Sequence, residues 1–328
     1  MNKKFSVGSL YAGVGGICSG FINSGFKIEW ANEFDKNACI TYRENFNHTL
    51  YEGDVMKLDI DGMKKIDVLS GGFPCQPFSV AGYRKGFDDN RGNHFFKMLD
   101  FVDVMRPKVL FFENVKNLVG HDKGNTFKII KKEILSRNYS FHSKIINTKD
   151  YGNIPHNRER IFIIGFDYDE YPDADLNFRF PSKENLDKSI KDFLDNGDVD
   201  DKFYYGEEKS MYPLLKETMN NPNTVYQFRR HYVRENKSNV CPTLTANMGT
   251  GGHNVPLVTT KKGFRKLTPR ECFRFQGFPD SYKFPKIANC HLYKQSGNSV
   301  SIPVIERISK NILSVLNGVS CKKEFELF

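Results

Sequence analysis

One cysteine stands where open α/β folds present a nucleophile. Cys75 follows an apolar run at residues 67–70 and lies in a glycine- and proline-rich stretch that ends a strand and begins a loop. Open α/β sheets form their clefts outside the carboxyl ends of the strands. A thiol delivered to that edge can act as a nucleophile. Because a single cysteine on a turn is often inert, its role depends on the residues that accompany it.

A carboxylate and two arginines are expected near this edge. Four apolar residues, 109–112, precede Glu113 and place its carboxylate at the rim of the sheet. Arg158 and Arg160 precede a further apolar strand, where planar guanidinium groups can hold a carbonyl or phosphate oxygen. Taken singly, these residues also fit a helix cap or a surface ion pair. With the cysteine, they form a candidate catalytic set.

A glycine turn indicates a second kind of site. Residues 11–16 (YAGVGG) join the first strand to the first helix, so a ligand can approach the backbone there. Glu33 ends the second strand, where doubly wound folds place an acid on a ribose. Cys18 occupies the third glycine position of a dinucleotide-binding turn, which favours an adenosine ligand without a pyrophosphate. Asp54, at the end of the third strand, can accept from the adenine amine.

Strands and helices alternate over the first 165 residues. This alternation predicts an α/β fold with a doubly wound, mostly parallel sheet covered on both faces. The predicted strands are 5–10, 27–32, 68–70, 109–113 and 161–166, and the helices are 16–24, 36–45, 95–105 and 127–136. The following irregular sequence predicts a smaller second domain. We expect a first domain formed by 1–185 plus 293–328, a second at 186–270 and a hinge at 271–292.

Charge is distributed unevenly along the 328 residues. The chain has a formal net charge of +9, although residues 167–202 hold twelve acidic against five basic side chains. A basic remainder indicates a polyanionic partner such as nucleic acid, although composition equally fits a basic protein without one. Seven cysteines without metal-ligand spacing indicate reduced thiols and no bound metal. With no membrane span or signal peptide, we expect a cytoplasmic protein with no membrane partner.

Several ordered motifs resemble those of the DNA cytosine-5 methyltransferases of bacterial restriction–modification systems. The resemblance covers nearly the whole chain, and its landmarks are residues 11–16, 32–33, 53–55, 72–76, 91–93, 113–116, 150–152, 158–160, 265–280 and 297–300. The family usually has phenylalanine where this chain has Tyr11, which keeps an aromatic face at that position. The catalytic positions are all present.

The resemblance implies a covalent mechanism of methyl transfer. S-adenosylmethionine would donate a methyl group to carbon 5 of a cytosine flipped out of duplex DNA, leaving S-adenosylhomocysteine. The Cys75 thiolate would add to carbon 6, and Glu113 would meet ring nitrogen 3. Arg160 would hold the oxygen at position 2, while Arg158 would support the thiolate or the adjacent loop.

The resemblance also assigns binding residues. Those expected at the cofactor are Tyr11, Gly13, Gly15, Gly16, Glu33, Phe34, Asp54, Val55, Pro74 and Asn298. Those expected at DNA are Arg84, Lys85 and Arg91 in the loop after the cysteine, and Arg229, Arg230, Arg234, Thr243 and Leu244 in the target-recognition domain at 186–270. We expect a monomer that acts on double-stranded DNA. A cognate restriction endonuclease would act on the same site without a stable complex.

Three alternatives remain open. An RNA methyltransferase would share this catalytic core, because one branch of the family modifies transfer RNA; the long basic segment favours duplex DNA. A DNA-binding regulator could keep the fold without activity, but the intact Cys75, Glu113 and Arg160 disfavour it. A dinucleotide-dependent oxidoreductase is disfavoured by the glycine spacing.

Overall fold

The computed structural model describes residues 4–74, 93–229, 231–250 and 255–321 of the chain. The strands are β1 (Ser6–Leu10), β2 (Lys27–Glu33), β3 (Thr49–Glu52), β4 (Val68–Gly71), β5 (Val109–Val115), β6 (His142–Asn147), β7 (His156–Asn157), β8 (Glu159–Phe166), β9 (Tyr226–Arg229), β10 (Tyr232–Glu235), β11 (Cys241–Pro242), β12 (Leu257–Thr260) and β13 (Gly263–Lys266). The helices are α1 (Gly16–Asn23), α2 (Lys36–Arg43), α3 (Asn93–Met105), α4 (Asn125–Leu135), α5 (Thr148–Tyr151), α6 (Ala174–Asn177), α7 (Tyr212–Thr218), α8 (Pro269–Arg274), α9 (Asn289–Asn298) and α10 (Ile302–Leu316).

A seven-stranded sheet forms the centre of the first half, in the order β3-β2-β1-β4-β5-β8-β6. Strands β3, β2, β1, β4 and β5 are mutually parallel, whereas β8 runs antiparallel to both of its neighbours. The predicted doubly wound, mostly parallel α/β fold is therefore confirmed. Strand order reverses between β1 and β4, which is where such sheets bind their ligands.

Side chains of the central strands alternate between two apolar cores, one on each face of the seven-stranded sheet. Phe111 lies in the core on the side of α1 and α10, together with Phe21 and Ile308. Its neighbours Leu110 and Phe112 lie in the opposite core, formed with α3 and α4. Because successive side chains of a strand point to opposite faces, an apolar run such as β5 is buried on both.

A smaller antiparallel sheet lies in the second half of the chain. Its order is β10-β9-β12-β13, and its residues Tyr226 and Leu257 share an apolar cluster with Leu215 and Met219. A two-stranded parallel sheet joins the halves, with Cys241 of β11 opposite His156 of β7. The proposed domain boundaries stay a prediction. None of the helices in the described ranges is long and apolar enough to cross a membrane.

Candidate active site

A cavity of about 700 Å³ opens at the carboxyl ends of the parallel strands. Because it lies beside the β1–β4 switch point, it occupies the position expected of a ligand site in this fold. The predicted site residues that line it are Tyr11, Gly13, Gly16, Glu33, Phe34, Asp54, Val55, Pro74, Glu113 and Asn298.

Backbone conformation shapes the turn between β1 and α1. Gly13 and Gly15 both have positive φ angles, 57° and 80°, which glycine adopts without a steric penalty. Gly15 does not line the cavity. A Cβ atom at Gly15 would lie 2.2 Å from the Phe46 ring, so this glycine allows the turn to pack closely against α2 and its following loop. The main chain at Gly13 and Gly16, which carry no side chain, therefore forms part of the cavity wall.

Glu33 is oriented by the main chain at the end of β2. One carboxylate oxygen accepts from the amide of Gly13 at 2.8 Å, and the other accepts from the amides of Phe34 and Asp35 at 3.0 and 2.8 Å. Burial raises the pKa of the Glu33 carboxyl, and these three N–H groups act in the opposite direction. The carboxylate is therefore held in one orientation beside the cavity.

Two aromatic side chains and a carboxylate complete this end of the cavity. Phe34 lines the cavity with an unusually high exposure of 70%. The Tyr11 hydroxyl lies 3.1 Å from Nδ1 of His94, and burial followed by the charge of Asp54 raises the pKa of Tyr11. The Asp54 side chain accepts from the amide of Met56 at 3.0 Å. These contacts leave apolar ring faces beside fixed polar groups, as small-molecule sites require.

Glu113, which lines the same cavity, forms an ion pair with Arg160, which is not among the lining residues. The Arg160 Nε lies 2.9 Å from a Glu113 carboxylate oxygen, and the Glu113 side chain is largely buried. The adjacent Asn114 donates to the carbonyl of Phe73 at 2.9 Å. This bond holds the end of β4 beside the acid, and Pro74, which lines the cavity, follows directly.

Cys75 lies outside the described residues, as do Arg84, Lys85, Arg91 and Arg230. Other thiols can be compared as nucleophiles within the described part of the chain. Burial raises the pKa of five of them, which keeps each thiol protonated and unreactive: Cys18, Cys39, Cys241, Cys272 and Cys321.

Arg158 does not line the cavity. Its guanidinium is buried and donates to the Leu244 carbonyl at 3.1 Å, to the Gly297 carbonyl at 3.3 Å, and to the Ser299 carbonyl. Arg158 thus holds three main-chain carbonyls within the described residues. Because Cys75 lies outside them, the predicted support of the thiolate or the adjacent loop by Arg158 stays a prediction. Arg160 is the arginine that contacts Glu113.

The β9–β10 hairpin presents two of the predicted arginines, Arg229 and Arg234, on one exposed face. Gln227 lies opposite Arg234, and Arg229 lies opposite Tyr232, which is 55% exposed. The Gln227 side-chain oxygen accepts from both Arg229, at 3.2 Å, and Arg234. Sequence reasoning missed Gln227 and Tyr232, although their alternation with buried residues along the hairpin was a usable signal.

Thr243 and Leu244 have different environments. The Thr243 side chain is exposed and donates to the Asn157 carbonyl at 2.6 Å. The Leu244 side chain is only 1% exposed and belongs to a buried apolar cluster. The prediction that Leu244 contacts DNA is therefore wrong for its side chain, because an apolar residue at this position packs into the core.

Helix α9 supplies cavity residues that the sequence did not single out. Lys294 pairs with Asp35 at 2.6 Å, while His291 lies 3.3 Å from the side-chain nitrogen of Asn37. Gln295 also lines the cavity. Gln295 begins the polar stretch 295–300, which the sequence left open between a helix cap and a return to the cofactor cleft, and the sequence gave no signal for the two basic residues before it. His94, at the start of α3, was missed as an isolated histidine.

The arrangement defines a doubly wound α/β protein with a ligand cavity at its switch point, and comparison with known proteins identifies its family. The profile of C-5 cytosine-specific DNA methylases matches residues 5–314. The Type II methyltransferase M.Bsp6I of Bacillus sp. (strain RFL6) is 56% identical over 310 residues, covering 93% of this chain and 98% of that relative. The Type II methyltransferase M.HhaI of Haemophilus parahaemolyticus is 39% identical over 322 residues, covering 94% of each.

Solved structures show the same fold at lower identity. Dnmt2 methyltransferase of S. pombe aligns with a TM-score of 0.72 at 18% identity, covering 96% of this chain and all of that one. A variant of Spodoptera frugiperda DNMT2 gives 0.71 at 21% identity, covering 94% of this chain and 100% of that one. The chain belongs to the C-5 cytosine-specific DNA methylase family. It is a DNA (cytosine-5) methyltransferase, as the sequence motifs predicted.

Proposed function

We propose that this chain transfers a methyl group from S-adenosylmethionine to carbon 5 of a cytosine in duplex DNA, through a covalent adduct with Cys75. The observation that carries the proposal is a shared cavity: Glu33 and Glu113 line the same space, and so does Pro74, the residue before the cysteine. A methyl donor at one end and a cytosine at the other would therefore meet at Cys75.

The residues at the Glu33 end fit S-adenosylmethionine. A carboxylate fixed by three amides retains lone pairs for ribose hydroxyls. The exposed Phe34 ring offers an apolar face to adenine, and Asp54 offers an oxygen to the adenine amine. A volume of about 700 Å³ lies within the range of small-molecule sites. When bound, S-adenosylmethionine supplies an electrophilic methyl group, and S-adenosylhomocysteine is the product.

The Glu113 end supplies the groups that activate cytosine. In the proposed mechanism, the Cys75 thiolate forms a bond to carbon 6, and ring electrons move toward carbon 5, which then attacks the methyl group. Glu113 meets ring nitrogen 3 as charge changes there, and Arg160 orients that carboxyl group and contacts the oxygen at position 2. A base then removes the proton from carbon 5, the electron pair of that bond re-forms the double bond between carbons 5 and 6, and the bond from carbon 6 to sulfur breaks to release the Cys75 thiolate.

DNA recognition is proposed to lie in the second domain, at 186–270. The target atom is inaccessible in a stacked duplex, so the cytosine is flipped into the cavity and carries no information about its neighbours. The hairpin face with Arg229, Arg234 and Tyr232 is exposed and basic, which suits contacts with base edges or phosphates. Replacing 186–270 with the segment of a relative that recognises another site is expected to change the methylated sequence.

The proposed biological setting is the modification half of a restriction–modification system. The enzyme would act as a monomer on double-stranded DNA and protect sites from a cognate endonuclease without forming a stable complex with it. Incubation with labelled S-adenosylmethionine, followed by sequencing of the methylated cytosines, tests the activity. Equal amounts of duplex DNA and transfer RNA should be compared, because preferential methylation of transfer RNA would contradict the DNA assignment.

A further inference from the structure

Arg158 joins two parts of the protein that are far apart in sequence. Its side chain is 2% exposed, and Nη1 donates to the Leu244 carbonyl at 3.1 Å. From the same guanidinium, Nη2 donates to the carbonyls of Gly297 and Ser299. These two carbonyls flank Asn298, which lines the cavity together with Ser299. One rigid side chain therefore connects the proposed recognition domain to the wall of the proposed cofactor site.

A second side chain holds the same leucine. The Leu244 amide donates to Nε2 of His156 at 3.3 Å, and Nδ1 of His156 donates to the Phe275 carbonyl at 2.9 Å. Burial, followed by the charge of Arg158, lowers the pKa of His156, which keeps the ring neutral and able to accept at Nε2. Both main-chain polar groups of Leu244 are therefore fixed by buried residues next to β8.

Close backbone packing supports this connection independently. A Cβ atom at Gly297 would lie 2.2 Å from the carbonyl carbon of Thr245. The backbone of Thr245 therefore packs directly against the last turn of helix α9, next to the cavity-lining Asn298. Thr243, one residue before Leu244, has an exposed side chain whose hydroxyl is bound to Asn157. A shift of the exposed segment would be transmitted to the cavity wall, because close-packed groups cannot absorb it locally.

We propose that Arg158 is a positioning residue that couples DNA engagement at residues 243–245 to the cofactor wall at residues 297–299, so that each ligand strengthens binding of the other. The identities of the two ligands rest on the proposed function. Arginine suits this role because its planar fork donates in several directions, whereas lysine offers one compact ammonium group. Coupling between two binding sites is reciprocal and typically amounts to about 5–150-fold in affinity.

The test measures S-adenosylhomocysteine affinity by calorimetry, with and without methylatable duplex DNA, for the wild type and Arg158→Lys. We expect duplex to tighten binding to the wild type by about 5-fold or more, and to change binding to the variant by less than about 2-fold. The matched control is Arg265→Lys, since Arg265 is equally buried but pairs with Glu271 at 2.6 Å. In this control, duplex DNA should tighten S-adenosylhomocysteine binding as much as it does in the wild type. The proposal would be overturned if duplex DNA tightened binding to Arg158→Lys as much as to the wild type, or if this tightening were lost in both variants.

Hydrogen exchange of the wild type gives a readout that needs no variant to fold. S-adenosylhomocysteine alone is expected to slow amide exchange at residues 241–250, and to leave the hairpin at 226–235 unchanged. Slowed exchange at residues 11–16 without any change at 241–250 would overturn the coupling while leaving the cofactor assignment intact. No protection at 11–16 would instead count against the proposed function, so the two failures are distinguishable.

Discussion

The Arg160 guanidinium lies 2.9 Å from the Glu113 carboxylate, on two adjacent antiparallel strands of the central sheet. This relationship fixes the orientation of the acid at the cavity. Because glutamine has nearly the same shape as glutamate, Glu113→Gln removes the charge of this side chain and leaves its volume almost unchanged.

Glu113→Gln is expected to lower the rate of methyl transfer by about 10²–10⁴-fold, the usual range for an acid–base group. DNA affinity should change much less, because the charge at ring nitrogen 3 changes mainly as the thiolate adds. Single-turnover kinetics and a DNA titration measure the two effects. The matched control is Glu159→Gln, which removes a more exposed acid that binds Lys116 at 3.0 Å. Equal losses of rate and DNA affinity in Glu113→Gln would mark the acid as structural.

Glu33→Ala is expected to weaken S-adenosylmethionine binding by about 1.5–3 kcal/mol if hydrogen bonds to both ribose hydroxyls are lost. This corresponds to roughly one to two orders of magnitude in Kd. Glu29→Ala is the matched control, because Glu29 lies on the same strand but pairs with Lys27 and Lys64 on the surface side. Calorimetry that finds the same affinity for Glu33→Ala and wild type would reject the ribose role.

Tyr11→Phe restores the aromatic residue that is usual in the family. It removes the hydroxyl that lies 3.1 Å from His94 Nδ1 and keeps the ring. If the ring supplies the contact with the cofactor, affinity should fall by no more than about 0.5–1.5 kcal/mol, the usual net effect of one hydrogen bond. Tyr11→Ala should lose clearly more. Calorimetry would contradict the assigned ring contact if both variants lost the same amount.

Buried histidines are expected to make the fold sensitive to acid. Burial lowers the pKa of His48 to about 4, and it also lowers the pKa values of His142 and His156. In the unfolded chain these groups titrate near about 6.5, so below that pH the unfolded state binds protons that the folded state does not. The free energy of unfolding should therefore fall as the pH decreases from about 6.5 toward 4.

Denaturant unfolding at a series of pH values measures this slope. His48→Gln should be less sensitive to pH than the wild type over that window, because one of the groups that takes up a proton on unfolding is gone. His231→Gln, at an exposed position between β9 and β10, serves as the control. An unchanged slope in His48→Gln would show that His48 does not contribute.

Particular residues show what could be predicted from the sequence. The β5 run and the acid after it were predictable because four apolar residues bury a strand on both faces and end at a rim. Strand β6 was missed because it lies at the edge of the sheet and lacks an apolar run: its residues are half-buried or exposed except for Ile146. The burial of Leu244 and the contacts of Arg158 could not be predicted from residue type. Only the tertiary packing shows that Leu244 is buried and that Arg158 is bound to three distant carbonyls.

The most direct test of the central claim is a covalent trap at Cys75. The wild type, incubated with S-adenosylmethionine and duplex DNA carrying 5-fluorocytosine at the target, should form an adduct that survives denaturation, because carbon 5 then has no proton to lose. Cys75→Ser should form none and still bind DNA, since a serine hydroxyl is not ionised at neutral pH as a thiol partly is. Cys290→Ser, which removes another partly exposed thiol, should form the adduct normally. Adduct formation by Cys75→Ser, or its absence in an active wild type, would contradict the account.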